Sequence, residues 1–130
     1  MNVTIPAGMV LGCALLLAAP VARAADAGAE MATAAAHAGM AAASTDMKMV
    51  QAHLHHVANC LAGPGGMGYD ASQLNPCKDQ GMGAMVDAPA AKKKMLEDAM
   101  AKVESGLKQS DMAMAKKDAG DAEAMIKKAM

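Results

Sequence analysis

Val50, Leu54, Val57 and Leu61 recur at intervals of four, three and four, which places them on one face of a helix. Ser44, Thr45 and Asp46 offer N-cap side chains ahead of that stripe, and Gly63-Pro64-Gly65-Gly66 stops it, so the pattern predicts a helix over about 45–62. Leu96, Met100, Val103 and Leu107, with Ala99 beside them, form a second stripe and predict a helix over 88–108, with Asp87 as N-cap and Pro89 in its first turn. A third stripe of Ala115, Ala119, Ala122, Ile126 and Ala129 follows Ser110 and Asp111 and predicts a helix over 110–129. The short connection from Gly106 to Asp111 folds these last two helices into an antiparallel hairpin.

Residues 63–87 are rich in Gly, Pro and Asn without a sustained period and read as an ordered loop. Residues 25–43 are almost entirely Ala with Gly, one His and two Met. Their helix propensity is high, but no stripe larger than alanine marks a packing face, which predicts a partly helical or disordered leader that packs weakly. Nowhere does strand-like alternation appear. The expected fold is therefore all-α: a small helical bundle of three firm helices over 44–130, preceded by a leader that is either a fourth, weakly packed helix or disordered.

The N-terminal pattern is of another kind. Residues 9–19 are an apolar run too short to span a bilayer, which needs roughly 20 apolar residues. The run ends in Pro20-Val21-Ala22-Arg23-Ala24, whose small residues suit signal peptidase. This predicts a secretory signal peptide over 1–24, cleaved after Ala24, and an exported protein, periplasmic or secreted, without a stable membrane anchor. No Lys or Arg precedes the run, a departure from the usual signal. A lipoprotein reading through Cys13 fits poorly, since most of the apolar region follows that cysteine.

Composition sharpens this picture. The chain has no Phe or Trp, one Tyr and 15 Met, so a small mature domain has little aromatic surface to bury and needs a staple. Cys60 and Cys77 are the two cysteines beyond the signal, and in an oxidising compartment they are expected to form one disulfide. Beyond Arg23 every basic residue is Lys, with no basic stripe and no aromatic platform, which argues against nucleic acid as a partner.

The densest chemistry lies at Met49, His53, His55, His56 and Cys60. At about 100° per residue, Met49, His53, His56 and Cys60 share one flank of their helix, beside the apolar stripe, while His55 points toward the side of Lys48 and Asn59. Two histidines three apart can reach one metal, and a flank beside a core stripe faces a groove where a second helix adds ligands. Met114, Asp118, Asp121 and Met125 repeat the four-three-four spacing on the last helix and are a candidate flank across that groove, with Met114 and Met125 as its donors and Asp118 and Asp121 read as solvated charges. Met67, Met82 and Met85 add thioethers in the loop.

A mixed Met and His inventory in an exported protein points first to copper, since thioethers select Cu(I) and imidazole also accepts Cu(II). No C-x-x-C-H motif is present, and so few aromatics make no haem pocket, so haem is not expected. No nucleophile stands beside a histidine in a catalytic motif, and no enzyme activity is expected. The reading is thus an exported copper carrier, buffer or sensor binding through His53, His56 and Met49, with His55, Met114 and Met125 as lesser candidates. A homodimer would supply a second His53/His56 flank. The alternatives are a structural or chaperone-like helical protein with a Met-rich interaction surface, and a methionine sink for oxidants.

Overall fold

The computed structural model describes residues 25–130; the signal-peptide reading of 1–24 lies outside the described residues. Five helices follow in order: α1 (Ala27–Ala43), α2 (Met47–Ala62), the single turn α3 (Ala84–Asp87), α4 (Ala90–Lys108) and α5 (Met112–Ala129). Among the described residues there is no strand, and none of these helices is long and apolar enough to cross a membrane. The all-α bundle expected from the three apolar stripes is the fold of the protein.

Short carboxylate caps start three of the long helices. Asp26 Oδ1 accepts from the Ala29 N–H at 2.9 Å, Asp46 Oδ1 from Lys48 at 2.9 Å, and Asp111 Oδ1 from Met114 at 2.9 Å, each satisfying a donor the helix itself cannot. The expected cap of α4 is different. Pro89 stands at its N-cap position, while Asp87 ends α3 and accepts from the Met82 N–H at 2.6 Å.

The four long helices form a closed ring in which α1 packs on α2, α2 on α4, α4 on α5 and α5 back on α1. Neighbours run antiparallel. Lys92 at the start of α4 donates to the Met130 carbonyl at 2.7 Å just beyond α5, and Ala42 of α1 faces Gly120 of α5 while Gly39 faces Glu123. Val50, Leu54, Val57 and Leu61 of α2 are fully buried, as are Leu96, Val103 and Ile126. The α5 stripe of Ala115, Ala119, Ala122, Ile126 and Ala129 is buried as its spacing predicted.

The N-terminal segment departs from expectation. It is a well-formed helix whose Met31, Ala34, Ala35, Ala38 and Ala41 are buried in the same core, and it is not a weakly packed leader. The reason is size. Alanines on α1 face alanines and glycine on α5, so the two backbones approach closely and the larger side chains of α2 and α4 fill the remaining space.

The loop between α2 and α3 is held by three devices at one end of the bundle. The Cys60–Cys77 disulfide closes it, with a Cα–Cα distance of 5.2 Å. Buried Asn59 donates from Nδ2 to the carbonyls of Asp70 (3.0 Å), Gln73 (3.3 Å) and Leu74 (3.1 Å), and its Oδ1 accepts from the Asp70 N–H at 2.8 Å. Buried Glu30 of α1 accepts from the Gly83 N–H at 2.8 Å. At Gly63 (φ 67°) the chain passes so close to the Met82 carbonyl that a Cβ would fall 1.7 Å from its oxygen, so only glycine fits.

Candidate metal centre

Helices α1 and α2 are joined by only three residues, Ser44–Asp46, and run antiparallel side by side. That hairpin sets His37 of α1 beside His53 and His56 of α2. The Nδ1 atoms of His37 and His53 are 3.1 Å apart, and those of His56 and His37 are 3.4 Å apart. Each of the three rings offers a nitrogen within 4.8 Å of the others, and all three residues are half-buried. The ring centroids lie 4.9–5.6 Å apart, with His56 edge-on to both His37 and His53.

Two nitrogens bound to one metal at about 2.0–2.1 Å in tetrahedral geometry stand about 3.3 Å from each other. The His37–His53 and His37–His56 separations bracket that figure. The electrostatics suit a cation as well. Burial, and then the charges of His56 and His53, hold the His37 imidazole below its ordinary pKa, and burial with His53 and His55 does the same for His56. Both rings therefore stay neutral, with lone pairs free for a ligand, at pH values where an exposed histidine begins to protonate. Without a metal, a proton shared between paired Nδ1 atoms accounts for the close approach.

The other expected ligands are elsewhere. His55 points away from the trio, with its Nδ1 3.6 Å from the Asp70 carboxylate in the loop. Met49 is one turn from His53 and largely exposed. Cys60 is buried in the disulfide and offers no thiolate. The α5 flank does not face α2, because these two helices are diagonal in the ring. Asp118 instead accepts from Ser105 Oγ at 2.7 Å and pairs with Lys102 at 3.7 Å on α4, and Asp121 pairs with the same lysine at 3.3 Å. Met114 is exposed and Met125 packs against the core. The side chain that meets His53 and His56 across the groove is thus His37, from the helix the sequence had left without a packing face.

A lone histidine among alanines carried little signal. What would have found it is the hairpin itself: a three-residue connection pairs position 37 with position 53, but only once the alanine segment is known to pack.

The fold and the site together define a small disulfide-stapled four-helix bundle with a three-histidine cluster on one helix pair. Comparison of the chain with protein-family models, with curated proteins and with solved structures finds no match.

Proposed function

We propose that the protein binds copper at His37, His53 and His56 and serves as an exported copper carrier or buffer. The observation that carries this reading is the convergence of three imidazoles from two helices, with nitrogens within 4.8 Å of one another and the two His37 separations, 3.1 and 3.4 Å, close to those of donors on one metal ion. An all-imidazole set without carboxylate or thiolate suits Cu(II), Zn(II) and Ni(II), and Cu(II) binds most tightly in that series. Met40, three residues after His37, and Met49, four before His53, are exposed one turn nearer the hairpin bend. Their thioethers lie outside the trio and are soft donors of the kind that suits Cu(I).

Three half-buried protein ligands leave a coordination position open to solvent or to a partner's donor. A closed four-ligand site would hold its metal structurally; an open one allows hand-over. Export is supported by the disulfide, which belongs to oxidising compartments, and by the signal-like N-terminal pattern.

The test is titration of the oxidised protein with Cu(II) against a competing chelator, in wild type and in His37→Ala. One tight equivalent that weakens at least about tenfold in the variant supports the site, a loss of roughly 1.4 kcal/mol. Equal affinity in both proteins contradicts it. Tighter binding of Zn(II) than of Cu(II) contradicts the choice of metal while leaving the ligand set standing.

A further inference from the structure

A second cleft lies apart from the histidines, against α4. It encloses about 270 Å³ and is lined by Met67 of the loop, Met85 of α3, and Glu97, Met100, Ala101 and Glu104 of α4. Three methionines from three separate elements thus line one cleft. Met100 forms the floor, 5% exposed, while Met67 at the rim is 89% exposed. The floor is tightly made: a Cβ on Gly68 (φ 89°) would fall 2.5 Å from the Met100 terminal methyl.

Packing accounts for Met100, a core residue, and for Met85, which packs against the core, but not for Met67. An apolar side chain left 89% exposed gains almost nothing from folding, yet the turn that carries Met67 is held by hydrogen bonds. Gly66 donates to the Gly63 carbonyl at 3.0 Å, Tyr69 to the Gly66 carbonyl at 3.2 Å, and Asn59 clasps Asp70 just beyond. The charge of the cleft is one-sided. Glu97 and Glu104 stand three before and four after Met100, on the same face of α4, and no basic residue joins the lining. The cleft combines neutral soft donors with a negative rim, which matches a soft monovalent cation.

We propose that Met67, Met85 and Met100 form a second metal site, specific for Cu(I) and its redox-inert analogue Ag(I), with Glu97 and Glu104 drawing the cation in. The site is independent of the histidine trio in donors and in position. It also differs in its response to protons: thioethers carry none at any ordinary pH, whereas imidazole ligands must lose theirs to bind.

The experiment uses the full mature protein in a His37→Ala/His53→Ala/His56→Ala background, titrated with Ag(I) against a competing ligand at pH 5.5 and 7.5. The expected result is one bound equivalent at both pH values, weakened at least tenfold by adding Met67→Leu and Met85→Leu. Met67→Ala alone, a change at an exposed position that leaves the core intact, is expected to weaken binding several-fold. Adding Met112→Leu and Met114→Leu, which removes two exposed thioethers elsewhere, is expected to change nothing. Retained affinity in the Met67/Met85 variant overturns the proposal, as does an equal loss in the Met112/Met114 control, which would mean diffuse binding to exposed thioethers. Displacement of Ag(I) by an apolar peptide that binds the metal-free cleft more tightly also overturns it, in favour of a client-binding surface. Because His37, His53 and His56 are absent throughout, these outcomes are separate from the fate of the three-histidine reading.

Discussion

His37 and His53 bring their Nδ1 atoms within 3.1 Å although sixteen residues separate them, and the α1–α2 hairpin makes that approach. Removing either ring is expected to cost metal affinity comparably, because each is one of the three proposed donors. His56→Ala is expected to behave the same way, whereas His55→Ala, whose ring faces Asp70, should leave affinity within about twofold of wild type. Each comparison is a chelator-competition titration. A His55→Ala loss as large as that of His37→Ala would relocate the site. Near-neutral affinity changes of about twofold are only about 0.4 kcal/mol and lie well below the tenfold criterion.

Glu30 predicts an inverted pH response. Burial, followed by the effects of nearby Asp87 and Asp26, pushes its carboxyl up from 4.5 to about 7, against the opposing Gly83 hydrogen bond. Between those values the folded protein holds a proton that the unfolded chain has lost. The stability Glu30 contributes is therefore full below about pH 4.5 and is lost as pH rises through about 7. Glu30→Gln stays neutral and keeps an acceptor for the Gly83 N–H. Its stability relative to wild type should grow between pH 5 and pH 8, by up to about 3 kcal/mol. Urea unfolding midpoints of both proteins at the two pH values check this; a constant difference would contradict it.

Asn59 predicts where the loop fails. Asn59→Ala leaves the Asp70 N–H and three carbonyls of the loop without their partner, at an expected cost of about 2–4 kcal/mol. Asn59→Asp should be at least as damaging, since a carboxylate oxygen then faces three carbonyl oxygens. Thermal unfolding gives the loss, and proteolysis within residues 63–83 should accelerate. If Asn59→Asp is as stable as wild type, the loop is held by something else.

The disulfide predicts a separation of stability from binding. Its 17-residue span implies about 3 kcal/mol lost in Cys60→Ser/Cys77→Ser, through the unfolded state. Neither sulfur belongs to the histidine trio, so copper affinity of the folded variant should stay within a few-fold of wild type. A hundredfold loss at temperatures where the variant remains helical would make the cysteines ligands.

Much of the fold was legible because large side chains announce their faces. Val50, Leu54, Val57 and Leu61 could share one helix surface and little else, and all four are fully buried. The Cys60–Cys77 staple followed from an even pair in a chain too poor in aromatics to hold itself. Alanine was the blind spot. A stripe such as Ala34, Ala38 and Ala41 looks the same in sequence whether it faces solvent or a core, so α1 gave no sign of its partner helices. One of the three histidines of the candidate centre was lost with it: His53 and His56 were readable from their spacing, while His37 needed the hairpin. The expected ligands on α5 failed for a related reason, since spacing shows which residues share a flank but not which helix lies across from it. Ala38→Leu tests the packed helix directly: at a fully buried position it should destabilise by about 1–3 kcal/mol, whereas a loose leader would tolerate it.

The central claim is that three imidazoles hold one copper ion. Electron paramagnetic resonance of the Cu(II)-loaded protein reads this most directly, because each coordinated nitrogen adds to the hyperfine pattern. The account predicts a mononuclear signal with three imidazole nitrogens, falling to two in His37→Ala. A wild-type spectrum that is unchanged by His37→Ala, His53→Ala and His56→Ala together would contradict it.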